Sequence, residues 1–307
     1  MFGNNPTTSG VLIVVIASVI WGTTGTAASL IPDVSALAIG AFAMGGGGLL
    51  LFFNARHTLR QDKTRLLARP GLLLCGGLSV AIYPLAFYSS MRFSGVAIGT
   101  VISIASAPLF TVLLERLISK KYVSLKWFIS FLFGTAGIVL MTMGRQDSVI
   151  QNQGHLLRYC GVGLGLIAGL GYSAYSWCAR QMIENGVHSK SSMAGMFGLA
   201  ACLLLPSLFL TGDHLFADGK HIAVAMYMAV VPMFVGYLLF GYGLRYIEAS
   251  QATLITLLEP VVAALFAVFF VGEKFSTTGW YGMGLIAVCL LFQVVKWPVV
   301  KAWVPDS

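Results

Sequence analysis

The chain has 307 residues, 57% of them hydrophobic and only 10% charged, with a mean hydropathy of +0.85. That composition excludes an ordinary soluble domain and points to an integral membrane protein. The net charge of +8 does not mark a nucleic-acid binder, which needs a basic face on a folded domain, because no polar stretch exceeds about 16 residues.

In chain order, apolar runs long enough to cross a bilayer fall at 10–31, 34–54, 71–91, 94–118 and 124–143, then 159–182, 189–210, 222–246, 249–271 and 277–297, ten in all. "GVLIVVIASVIWG" and "VGLGLIAGLGY" are apolar all round. They lack the alternation of a barrel strand, so the runs are read as helices whose backbone satisfies itself. The opening "MFGNNPTTSG" carries no Lys or Arg and so lacks the basic start of a cleaved signal. Only the small residues Ala27, Ala28 and Ser29 speak for a cleavage site.

Segments 55–70, 115–126 and 180–190, the turn near 245 and the C-terminal tail hold fourteen of the nineteen Lys and Arg. Arg92, Arg145, Arg158, Lys220 and Lys274 remain for the other side. The positive-inside rule therefore places both termini in the cytoplasm. Cys75, Cys160, Cys178, Cys202 and Cys289 lie in or beside apolar runs without C-x-x-C spacing, which fits packing and not a metal or disulfide set.

Sliding the second half over the first reveals a repeat. "IASVIWGTTGTAASL" (16–30) lies on "IAGLGYSAYSWCARQ" (167–181), which sets Trp21 on Tyr172. "AFYSSMRFSGVAIGTVISIASAPLFTVLLERL" lies on "LFGYGLRYIEASQATLITLLEPVVAALFAVFF", pairing Arg92 with Arg245 and, after one gap, Pro108 with Pro260, at offsets of 151 to 153. Residues 1–146 and 147–307 thus read as five helices each, and an odd number makes the repeats inverted. The expectation is an all-α membrane protein of ten transmembrane helices. Inverted repeats of this kind build secondary transporters with a midplane site.

Interrupted helices in matching positions point to that site. Prolines stand in the third and fourth runs (Pro84, Pro108) and in the eighth and ninth (Pro232, Pro260). A mid-helix proline frees the carbonyl four residues before it, here Val80, Ile104, Met228 and Thr256. Candidate substrate-binding residues are Trp21 and Thr24 on the first run, Tyr83, Pro84 and Tyr88 on the third, and Ser103, Ser106 and Pro108 on the fourth. Tyr172, Tyr175 and Trp177 follow on the sixth, Tyr237 on the eighth, and Thr253, Thr256, Glu259 and Pro260 on the ninth. Gly161, Gly165, Gly169 and Ser173, and "GGGG" at 45–48, are expected to be packing surfaces.

The chain has no H-E-x-x-H, G-x-S-x-G or phosphate-binding loop, so metalloprotease, serine-hydrolase and ATP-driven chemistry lack their residues. All five histidines fall in expected loops. No enzyme, cofactor, metal or nucleic-acid partner is expected.

"LLEPVVAALFAVFFVGEKFSTTGWYGMGLI" at 257–286 and "WG" at 21–22 resemble the tandem five-helix repeats of EamA-type exporters in the drug/metabolite transporter superfamily, over nearly the whole chain. The first half departs, with Lys120 and Lys121 where the family usually has Gly-Glu. Within that superfamily the chain is most similar to bacterial aromatic amino acid exporters. The resemblance implies a multi-pass protein of the bacterial cytoplasmic (inner) membrane that exports aromatic and other neutral amino acids by alternating access. Aromatic walls suit ring stacking. Multidrug or other metabolite efflux, and a channel or scaffold, are the alternatives.

Glu259 sits about ten residues into the ninth run, where insertion scales charge about 3 kcal/mol for an ionised acid. Three roles stay open for it: a neutral acid donating to a carbonyl across the kink, a contact to a substrate ammonium, or coupling to protons.

Overall fold

The computed structural model describes residues 6–144, 155–271 and 276–294. Among them nine helices are long and apolar enough to cross a membrane: α1 Pro6–Ala28, α2 Ala36–Asn54, α3 Pro70–Ser94, α4 Ile98–Leu117, α5 Leu125–Met143, α6 Leu156–Glu184, α7 Ser189–Thr211, α8 Gly219–Gly243 and α9 Ala249–Phe270. The expected tenth run forms a shorter apolar helix, α10, Thr277–Gln293. Residues 272–275, with the Gly-Glu-Lys-Phe of the expected family motif, Arg145 and the C-terminal tail lie outside the described residues.

Local sequence sets the helix ends. Pro70 opens α3 with its preset φ and no donor to lose. The Ser124 hydroxyl accepts from the Trp127 N–H at 3.1 Å at the start of α5. The Asp218 carboxylate accepts from Lys220 and His221 N–H at 2.8 and 2.9 Å at the start of α8. Gly95, at φ 91°, makes the turn between α3 and α4. Along α3, Leu74, Leu78, Ile82 and Leu85 are exposed at helical spacing and form an outward apolar stripe suited to lipid.

α6 packs along both α3 and α4, while α1 packs along α8 and α9; α2 lies on α7, and α5 on α10. The glycine stripe of α6 makes the close approach expected of it. A Cβ at Gly161 would meet Ser94, one at Gly165 would meet Ser90 and Ile102, and one at Gly169 would meet Ser106. Gly47 and Gly48 likewise sit against Met233 and Phe197.

The prolines behave unevenly. Pro84 and Pro108 lie inside continuous helices, so the first half is not interrupted as expected. In the second half Pro232 sits in a widened π-helical segment, Ala229–Val235, and α9 breaks at Thr256 and Leu257 before resuming at Leu258. The Thr256 carbonyl, expected to be free, accepts from the Glu259 N–H at 3.0 Å, because the tight turn supplies a donor three residues on.

Two further expectations change. Segment 55–70 contains a surface helix, Arg56–Leu67, since its Arg, Leu, Gln and Lys residues are good helix formers. His221 stands in the first turn of α8 and His57 in the surface helix, not in loops. Lys120 adopts a left-handed φ of 54°, a conformation that disfavours a Cβ. Lys120→Gly is therefore expected to leave thermal stability unchanged or raise it by about 0.5–1 kcal/mol, measured by unfolding in detergent.

Candidate functional site

Between α1, α2, α3, α6, α8 and α9 lies a cavity enclosing about 640 Å³ of empty space including its mouth, of which about 80 Å³ admits the centre of a water molecule. Trp21 and Thr24 reach it from α1, Tyr83, Pro84 and Tyr88 from α3, Tyr172 and Tyr175 from α6, Tyr237 from α8 and Glu259 from α9. Nine of the expected site residues thus share one wall.

Its polar groups are mostly committed. The Trp21 indole N–H donates to the Pro232 carbonyl at 2.8 Å, which the π-helical widening presents. Tyr172 donates to the Thr256 hydroxyl at 2.7 Å, Thr24 to the Trp21 carbonyl at 2.7 Å, and the Tyr175 and Tyr237 hydroxyls meet at 3.1 Å. The rings lock each other: Trp21 and Tyr237 centroids are 4.7 Å apart, Tyr83 and Tyr172 5.6 Å. Glu259 stands in the first turn of the resumed segment of α9. It lines the cavity together with Tyr83, Tyr88, Tyr172 and Tyr237. Among the described residues its side chain has no hydrogen bond to a carbonyl, and the turn is closed by the backbone bond from the Glu259 N–H to the Thr256 carbonyl.

The other expected residues stand back from the cavity. Thr256 acts one layer behind, as the acceptor for Tyr172. Thr253 turns to the Ala249 carbonyl and to Thr111, and Ser106 to the Ser103 carbonyl at 3.4 Å. Ser103, Pro108 and Pro260 do not line it; Ser103 is 1% exposed within the α4 packing. Trp177 lies toward the far end of α6 and donates to Ser119 at 2.9 Å, because the helical period turns it away from Tyr172 and Tyr175.

The sequence reading missed Gly40, Ala43 and Met44 on α2 and Met233 on α8, and named Met228 only for its carbonyl; Phe87 of α3 also lines the cavity. A signal existed only for Gly40, whose missing Cβ leaves room for the Tyr88 ring. Methionines in an apolar run carry no mark of a cavity.

Charged clusters stand at both ends of the helices. Where segments 118–124, 184–189 and 244–249 meet, the Lys121 ammonium donates to both Glu184 and Glu248. Arg180 pairs with Glu184 at 3.0 Å and Glu248 at 3.3 Å and donates to the Leu244 carbonyl at 2.7 Å. Burial opposes the Lys121 charge, but the bonds to Glu184 and Glu248 outweigh it and hold the ammonium above the ordinary lysine value. Burial likewise opposes the Glu248 charge, yet Lys121 and Arg180 hold that carboxyl below its ordinary value. Buried Glu115 accepts from the Ser250 N–H at 3.1 Å beside them. At the opposite end His221 bridges Asp218 at 2.8 Å and Asp33 at 3.1 Å, tying the α1–α2 turn to α8. The His221 hydrogen bond is the main cause that lowers Asp218 to about 2.

Among proteins of known sequence, the chain is 31% identical to the uncharacterized transporter YwfM of Bacillus subtilis over 91% of this chain and 92% of that one. It is 24% identical to the uncharacterized inner membrane transporter YicL of Salmonella typhimurium over 91% and 93%. A solved structure described only as the crystal structure of a protein superposes with a TM-score of 0.75 over 92% of this chain and 96% of that one, at 18% identity, a likeness of fold. The profile of the EamA-like transporter family matches twice, at residues 8–143 and 160–295. This multi-pass membrane protein belongs to the EamA-like transporter family.

Proposed function

We propose that the chain is a secondary exporter of amino acids, aromatic and other neutral ones, working by alternating access through the cavity between its two five-helix halves, 1–146 and 147–307. One observation carries this reading. The cavity is lined from the halves of α1, α2 and α3 that lie away from the basic end, while the basic end is tied shut by Lys121 of the first half gripping Glu184 and Glu248 of the second. A cavity near mid-membrane that is latched at one end is one state of an alternating cycle.

The packing supports an inverted two-fold arrangement of ten helices. α3 on α6 is matched by α8 on α1, α4 on α6 by α9 on α1, and α3 on α7 by α8 on α2. The basic end then faces the cytoplasm with both termini. Pro84, Pro232 and the break before Pro260 are the places where the halves rock. Tyr83, Tyr88, Tyr172 and Tyr237 are the groups that hold the side chain of the substrate, with Trp21 and Tyr175 behind them. Whether protons drive the cycle is a separate matter from the site.

Reporter fusions after Asn54 and Lys190 should be active only as cytoplasmic reporters and those after Gln151 and Asp213 only as external ones. Cells overproducing the protein should tolerate toxic aromatic amino acid analogues. An external reporter at Lys190, or unchanged sensitivity to every analogue, contradicts the reading.

A further inference from the structure

The cavity is unbalanced in charge. Among the described residues, seven of its lining side chains are aromatic and one, Glu259, is a carboxyl, while no Lys, Arg or His lines it. An amino acid brings both an ammonium and a carboxylate, and each must find a partner at mid-membrane, where unpaired charge is costly. The ammonium is well served: Glu259 supplies a charge-assisted acceptor, and Tyr83, Tyr88 and Phe87 supply ring faces for a cation.

The carboxylate is not. The Trp21 N–H and the Tyr172 and Thr24 hydroxyls already donate within the protein, and the bond between Tyr175 and Tyr237 uses one of their two O–H groups. Among the described residues, the side-chain donors left on the wall are neutral phenols: Tyr83, Tyr88 and one of the pair Tyr175 and Tyr237. The amide end of the resumed α9 segment does not make up the difference, because Glu259 itself occupies its first turn. A ligand carboxylate would therefore share a low-dielectric chamber with an acid and no base.

We infer that this cavity selects solutes carrying an amine or ammonium next to an apolar or aromatic body and no free carboxylate, that is, aryl-alkyl amines and carboxyl-masked amino acids such as amides, over the parent zwitterions. The inference rests on the cavity being the transport site and narrows the class of solute that it takes.

The test uses the full chain in liposomes preloaded with an unlabelled competitor. Counterflow of labelled phenylalanine and of labelled phenylalaninamide is followed against phenylalanine, phenylalaninamide, phenethylamine and 3-phenylpropionate. Phenylalaninamide and phenethylamine should inhibit at concentrations at least tenfold lower than phenylalanine, and 3-phenylpropionate should not inhibit. Glu259→Gln should shrink the amide-over-acid preference to less than threefold. If phenylalanine is carried as well as or better than its amide, this inference falls and the exporter reading stands. Loss of neither preference nor affinity in Glu259→Gln also overturns it, because the selectivity would then lie elsewhere. If neither labelled solute is carried while the protein remains folded, the exporter reading falls and takes this inference with it.

Discussion

Replacing Lys121 by glutamate should open the basic end of the molecule. The substitution removes the contacts to Glu184 and Glu248 and sets a third acid against both. All three side chains are partly exposed, 27, 29 and 42%, so each lost pair is worth about 0.5–1 kcal/mol. Repulsion adds about as much again, for a total of about 2–4 kcal/mol, a shift of at least about 30-fold between the two end-open states. With the five native cysteines replaced, a cysteine at Ser250 should react at least tenfold faster with an impermeant maleimide presented at the basic face. Lys121→Glu combined with Glu248→Lys should restore most of the protection. Unchanged labelling in Lys121→Glu would show that the latch holds nothing.

The same latch has a pH range that follows from its two ends. Glu248 is held below its ordinary value of 4.5, so its contribution is present above that value and fades as pH falls through the lowered one. Lys121 is held above 10.5, so its contribution is present below 10.5 and fades as pH rises through the raised value. Protection of Ser250→Cys in the otherwise unaltered latch should stay flat between about pH 5 and pH 10.

Glu259→Gln should cost binding and not stability. The kink before Pro260 is closed by the Glu259 backbone N–H and the Thr256 carbonyl, so the side chain is not needed to hold the turn, which speaks against one of the three roles the sequence leaves open. Removing an acid from mid-membrane relieves a penalty of about 3 kcal/mol when it is ionised. The variant should melt at the same temperature or higher. Affinity for amine-bearing solutes should fall 10- to 100-fold, the loss of a charge-assisted hydrogen bond of about 1.5–3 kcal/mol, and Glu259→Ala should lose no less. A Gln variant that unfolds at lower temperature while binding normally would assign Glu259 to the fold.

Much of this site was legible because buried aromatics and one acid in apolar runs are costly to place without a use. Trp21 and Tyr172 were found through the repeat offset, and both line the cavity. Thr253 and Trp177 were misplaced because the helical period that separates cavity-facing from packed positions depends on which neighbours each helix meets, and no count along one run supplies that. Met44 and Met233 were invisible for the converse reason: in an apolar run a methionine looks the same facing lipid, core or cavity. The unequal prolines have a similar origin. Pro84 is carried in an unbroken helix while Pro232 widens its own, since the Trp21 indole takes up the Pro232 carbonyl and no such donor is provided by sequence spacing. The latch was hidden in a departure: Lys121, out of place as a family residue, is in place as the partner of Glu184 and Glu248.

The central claim is that solute crosses through this cavity in a two-state cycle. It is tested most directly by counterflow in proteoliposomes with a panel of aromatic amino acids and their amides, beside sugars and quaternary dyes. The account predicts uptake of an aromatic amino acid or its amide that saturates, is stimulated by the same solute inside, and falls at least tenfold in Tyr83→Ala. Flux that rises linearly with concentration, or transport of sugars or dyes with the amino acids and amides ignored, would contradict it.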